Sequence, residues 1–98
     1  MSDTIPIDRY VLDTLMRDLI GHDRRPASYL VYLAVLAAER PAALSHQQLA
    51  DRTGLSKRTV QDAIAHLTRR KLIAVEKRER TEPALLSPLA PWRRLPLP

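Results

Sequence analysis

The chain has no cysteine and no phenylalanine, and it holds only two glycines, one tryptophan and three tyrosines among its 98 residues. Each shortage excludes something. Without cysteine there can be neither disulfides nor thiolate metal sites, which fits a reducing compartment such as the cytoplasm. Gly21 and Gly54 alone cannot make a glycine-rich loop that cradles phosphate. With aromatics at 4%, the core must come from Leu, Ile, Val and Ala, which suits closely packed helices and predicts a mostly α fold. The opening MSDTIPID lacks the basic-then-apolar order of a signal peptide. The apolar run over 27–38 is shorter than the roughly 20 residues that cross a bilayer, so no membrane partner is expected. His22, His46 and His66 are scattered, without metal-ligand spacing, and no nucleophile has a base nearby in pattern. The expectation is therefore no enzyme, no metal and no cofactor, with His46 and His66 read as surface histidines that could lie near a binding face.

What the chain does have is basic charge, and it is unevenly placed. The formal net charge is +5. Residues 1–50 hold 5 Lys and Arg against 6 Asp and Glu, whereas residues 51–98 hold 11 against 5, or −1 against +6. Such a split is the electrostatic footprint of a protein that meets a polyanion. Hydrophobic residues at 45% support one domain over residues 1–98, with a modest core and no room for a second, ligand-sensing domain.

The basic half begins within the stretch SHQQLADRTGLSKRTVQDAIAHLTRRKLI, residues 45–73. Ser45 is suited to cap a helix, and Gln48 three residues on completes a capping box. Gly54 follows Thr53 where the chain must turn left-handed, which glycine does at least cost. Ser56 then caps a second helix in which Val60, Ala63, Ile64 and Leu67 share one face. Arg58, Asp62, Ala65 and Arg69 point away from that face, with Lys57 and Gln61 on its flanks. Two short helices, a glycine turn and a basic N-terminal end on the second helix make a helix-turn-helix pattern.

These residues also carry a family likeness. Leu49 and Ala50, the TGLS of 53–56, Thr59 and Val60, and the run AIAHLTRRKLI of 63–73 resemble the winged helix-turn-helix domains of bacterial regulators of the GntR and MarR type. The resemblance covers about half the chain, from Ala43 to roughly Leu86. It implies a three-helix core with a short β-hairpin wing, here with an added N-terminal helix, and double-stranded DNA as the partner.

Along the chain, a helix is expected over 6–20, opened by Pro6 and stopped by Gly21. Ile7, Val11, Leu15 and Leu19 form one apolar stripe, which Tyr10, Leu12, Met16 and Ile20 widen beyond a single face, so the helix would either cap its own core or pair with the same helix of a second copy. In the favoured homodimer Ile7, Val11 and Leu15 would face the core, and Leu12, Met16 and Leu19 would join the two copies. Asp13 and Arg17 are spaced to pair. A second helix over 26–39, opened by Pro26 and ended by Pro41, would be the central strut, buried on most sides, with Tyr29, Leu30, Leu33, Leu36 and Ala37 on one face and Val31, Tyr32 and Val35 on another. Residues 42–44 could add a small strand. The wing is expected over 72–86, with its tip at 79–82, and Pro83 and Pro88 should confine pairing to an edge or a few residues. Five prolines among residues 83–98 predict an extended tail over 87–98. Trp92 in that tail would either fold back over the core or serve as a docking peptide for a protein partner.

The DNA contacts follow residue by residue. Ser56 and the free N–H groups beside it can take a phosphate. Lys57, Arg58 and Gln61 match the positions that, by the resemblance, read base edges or adjacent phosphates, with Thr59 a weaker candidate turned partly inward. Gln47 and Arg52 would reach phosphates from the first helix, and Lys77, Arg78 and Arg80 on the wing would reach the backbone or the minor groove. Arg69, Arg70 and Lys71 read as a solvated helix end. The function so implied is sequence-specific DNA binding by a bacterial transcriptional regulator. The alternative is a protein-interaction winged helix or an accessory factor in replication control.

Overall fold

The computed structural model describes residues 3–38 and 42–93. Its helices are an N-terminal helix over 9–22, α1 (Pro26–Leu36), α2 (His46–Thr53) and α3 (Lys57–Arg69). Its strands, β1 (Ala42–Ala43), β2 (Ile73–Glu76) and β3 (Leu85–Pro88), form one antiparallel sheet in the order β1-β3-β2.

The N-terminal helix starts at residue 9, not at Pro6, so Ile7 precedes the helical stripe and stays 39% exposed, outside the core it was expected to join. Two of its stretches, Val11–Leu15 and Asp18–His22, are π-helical. The first has a visible cause: the buried Tyr29 hydroxyl donates to the Val11 carbonyl at 2.9 Å, and the same carbonyl takes the Met16 N–H five residues on. Mixed α- and π-turns average more than 3.6 residues per turn, which keeps Val11, Leu15 and Leu19, spaced by four, on one line. All three are buried. Leu19 therefore belongs to the protein's own core and not to a surface that joins copies, while Leu12, Met16 and Ile20 stand exposed. Asp13 pairs with Arg9 at 3.7 Å and not with Arg17. The helix also runs past Gly21; the left-handed residue that ends it is Arg24, at φ 56°.

α1 is the strut that the sequence suggests. It touches α2, α3, β3 and the end of the N-terminal helix, and it buries Tyr29, Val31, Tyr32 and Val35. Leu30, expected on its core face, is 44% exposed. The helix ends at Leu36 rather than at 39, and the stop attributed to Pro41 lies outside the described residues, as do residues 1–2.

The turn between α2 and α3 is built by local chemistry. The Gln48 N–H donates to Ser45 Oγ at 3.0 Å and the Ser45 N–H to Gln48 Oε1 at 2.8 Å, closing the capping box. Gly54 caps α2 at φ 80°. Ser56 Oγ accepts the Thr59 N–H at 3.0 Å to open α3. Ala50 is buried among the core residues, where a larger side chain would hold the helices apart.

β3 is the central strand, although it ends on Pro88. The Leu89 N–H bonds Leu72 O at 2.7 Å on the β2 side. Alternation along the strand turns the Pro88 nitrogen away from β2, so its missing N–H removes no bond between β2 and β3. The chain then folds back. Trp92 stacks on Tyr10 with centroids 4.5 Å apart, meets Tyr32 edge-on at 6.4 Å, and donates from Nε1 to Asp8 Oδ2 at 3.0 Å. The tail is thus extended at its start, where it ends β3, and turns back at 90–93, while residues 94–98 lie outside those described.

Candidate nucleic-acid interface

α3 is anchored by one face and offered by the other. Val60, Ala63, His66 and Leu67 are buried, while Lys57, Arg58, Gln61, Asp62, Ala65 and Arg69 are exposed. The N-terminal half of this face carries Lys57, Arg58 and Gln61 as exposed donors. Arg58 lies 3.5 Å from Asp62, an exposed pair of the kind worth a few tenths of a kcal/mol and readily exchanged for a phosphate or a base. The Ser56 hydroxyl is already engaged, since it caps the Thr59 N–H and lies 2.8 Å from Thr59 Oγ1.

On one flank of α3 a cleft of about 440 Å³ runs between the helix-turn-helix and the wing. Ile64 and Pro83 line it together with Gln47, Lys57 and Lys77, so three of the expected contacts come from three elements to one place. Arg80 is exposed on the wing, and Arg78 pairs with Glu82 at 3.3 Å. Arg52 is not brought to this cleft. It lines a separate hollow with Leu30 and Ala34 of α1.

On the other flank the structure corrects two expectations. His66 is 7% exposed, not a surface residue. Its Nε2 lies 2.8 Å from Asp23 Oδ2, and since an ionised carboxylate only accepts, Nε2 is the donor. Its Nδ1 faces the buried Ser28 hydroxyl at 2.8 Å. Arg70 is likewise not a solvated helix end: its Nε reaches Asp23 Oδ2 at 3.0 Å and its Nη2 bonds Asp18. Burial pushes the Asp23 carboxyl up, but the hydrogen bonds from His22 and His66 and the charge of Arg70 outweigh it and hold Asp23 below its usual value. Asp18, His22 and Asp23 bring ligand atoms within 4.8 Å of one another, yet Arg70 already meets both carboxylates with its own positive charge. No spacing in the sequence announces this cluster, because its partners come from three elements.

A capped turn, a second helix with a basic exposed end, and a hairpin beside it define a winged helix-turn-helix domain. The chain belongs to the Crp-like helix-turn-helix domain family, whose model matches residues 24–86. That match takes in α1, the helix-turn-helix and the wing, and leaves the N-terminal helix outside it. No curated protein and no solved structure is significantly similar to the chain. The family supports DNA binding. Among the described residues, no helix is long and apolar enough to cross a membrane.

Proposed function

We propose that this protein is a sequence-specific double-stranded DNA-binding protein, a bacterial transcriptional regulator of the cytoplasm that lays α3 in the major groove and acts as a homodimer. The observation that carries the reading is the N-terminal half of α3, where Lys57, Arg58 and Gln61 stand exposed while Val60 and Ala63 fix the helix from behind. Arg58 and Gln61 are the base readers, since Arg pairs with guanine O6/N7 and Gln with adenine N6/N7, each worth about 1–3 kcal/mol of discrimination. Lys57, Gln47 and Lys77 flank them around one cleft and take phosphates. Ser56 and Thr59 contribute at the helix start, Arg78 and Arg80 from the wing, and Arg52 at the edge. The likeness to GntR- and MarR-type motifs supports the same class of regulator. Trp92 is held by Tyr10 and Asp8, which disfavours its use as a docking peptide and with it the protein-interaction alternative.

Titrating a random duplex with salt tests the reading. With roughly 4 to 6 phosphate contacts per protomer, log K against log salt should fall with a slope of about −4 to −5 per protomer. A slope near zero, or no binding at low salt, would overturn DNA binding.

A further inference from the structure

The winged-helix geometry explains the cations of α3 and the wing. It leaves unexplained why a histidine is buried in α3 and why two arginines stand together at 24 and 25. The two facts have one answer. Among the described residues neither Arg24 nor Arg25 has an ion-pair partner, and both are exposed. They border a hollow of about 220 Å³ whose other wall is Thr59, Asp62 and Ala63 of α3. On α3, Thr59 and Ala63 lie on the flank opposite Lys57 and Ile64, which line the wing cleft. The exposed face of α3 therefore has cations on both sides: Lys77 of the wing on one, Arg24 and Arg25 on the other.

A helix of about 10–12 Å diameter fills a major groove of about 12 Å width, so each flank of α3 must face one of the two phosphate strands. We propose that the turn over 23–28 is a second DNA-backbone contact, in which Arg24 and Arg25 meet the strand opposite the one met by the wing, and that His66 holds this turn in register with α3. The proposal rests on the DNA-binding reading above. The clamp is double. His66 Nε2 bonds Asp23, just before the arginines, and its Nδ1 meets Ser28, just after them. Arg70 adds a second hold on Asp23. The backbone closes the turn through Arg25 N–H to Leu19 O at 2.8 Å and Ser28 N–H to Arg25 O at 3.0 Å. Arg24 sits at φ 56°, a left-handed conformation that a residue with a Cβ adopts only when its surroundings impose it. Asp62 is the one acidic group in the hollow, and Arg58 lies against it. His66 is thus a positioning residue that touches no DNA.

The test uses the full chain and a random-sequence duplex. Arg24→Gly, which preserves the left-handed turn, combined with Arg25→Ala should reduce the magnitude of the salt slope by about 0.9 for each phosphate no longer neutralised and weaken binding by about 8-fold per phosphate at 0.1 M salt, equally for all sequences. Arg9→Ala, at the far end of the N-terminal helix from Asp23, should leave the slope unchanged. If the unaltered protein binds with the steep slope and the Arg24/Arg25 variant keeps it, the inference fails while DNA binding stands. If the unaltered protein shows no salt-dependent binding, the underlying reading fails first. His66→Gln, checked for its fold by circular dichroism, should also flatten the slope, and adding the arginine changes to it should cost little more. Fully additive losses would overturn the positioning role of His66, because independent sites add.

Discussion

At the scale of single residues, the best-defined features are those whose partners lie within a turn of chain. Ser45, Gln48, Gly54 and Ser56 perform the roles that their spacing assigns, because a cap needs only a side chain and a backbone group three residues apart. Gly54 offers a direct check. Its φ is 80° and a Cβ there would meet nothing within 4 Å, so Gly54→Ala should cost only the left-handed penalty of about 1–2 kcal/mol. A thermal melt should fall by roughly 4–8 °C per kcal/mol, and an unchanged melt would contradict the geometry. Asp8 offers another. Hydrogen bonds from Arg93 and Trp92 lower its pKa from 3.8 to about 2. A depressed carboxyl stabilises the fold above 3.8, and its contribution is lost as pH falls from 3.8 towards about 2. Trp92 fluorescence should report that loss in the unaltered protein and show no such transition in Asp8→Asn. Identical titrations would mean that another group controls the tryptophan. His66 is the opposite case to the caps: Ser28 and Asp23, which bury and bond it, lie 38 and 43 residues away, and nothing near it in sequence announces them.

At the scale of elements, α2, α3 and the wing were legible because a 3.6-residue period, a glycine turn and a strand alternation are each written locally. The N-terminal helix was legible as a helix, and Val11, Leu15 and Leu19 as one stripe, but Leu19 was also assigned to the surface between copies, which its full burial excludes. The π-turns that keep the three in line were not legible, because the cause of the first is a tyrosine hydroxyl from α1 that no pattern within the helix discloses. The two assignments of Leu19 differ measurably. As a fully buried core residue it should cost about 2–5 kcal/mol when replaced by Ala, while Met16→Ala, more than a third exposed, should stay within about 0.5 kcal/mol of the unaltered protein in the monomer. Equal losses in denaturant melts would restore the assignment of Leu19 to the surface between copies. For α3 the discriminating measurement is sequence preference. Arg58→Ala or Gln61→Ala should flatten preference among bound fragments selected from a random pool, and Arg78→Ala should weaken all sequences alike. Uniform loss from all three would show that α3 reads no bases.

At the scale of the whole molecule, the question is what covers the apolar face that the N-terminal helix still presents. Leu12 at 51%, Met16 at 37% and Ile20 at 38% exposure succeed one another at intervals of four, so they share one stripe, about 100° round the helix from Val11, Leu15 and Leu19. This helix lies outside the segment that the family model matches, so it is free to serve assembly while residues 24–86 serve DNA. An isologous contact between two such stripes would double the phosphate contacts and fix the spacing of two half-sites, which a lone small module lacks. Replacing Leu12 and Met16 with Glu should therefore give a folded monomer whose melt stays close to that of the unaltered protein but whose DNA binding is much weaker and whose salt slope is halved. Sedimentation at micromolar concentration decides the matter before any variant is made. A dimer of the unaltered protein that dissociates in the Leu12→Glu, Met16→Glu variant supports assembly through this stripe. A single monomeric species would refute it, and the same three residues would then be surface that the domain leaves in contact with water.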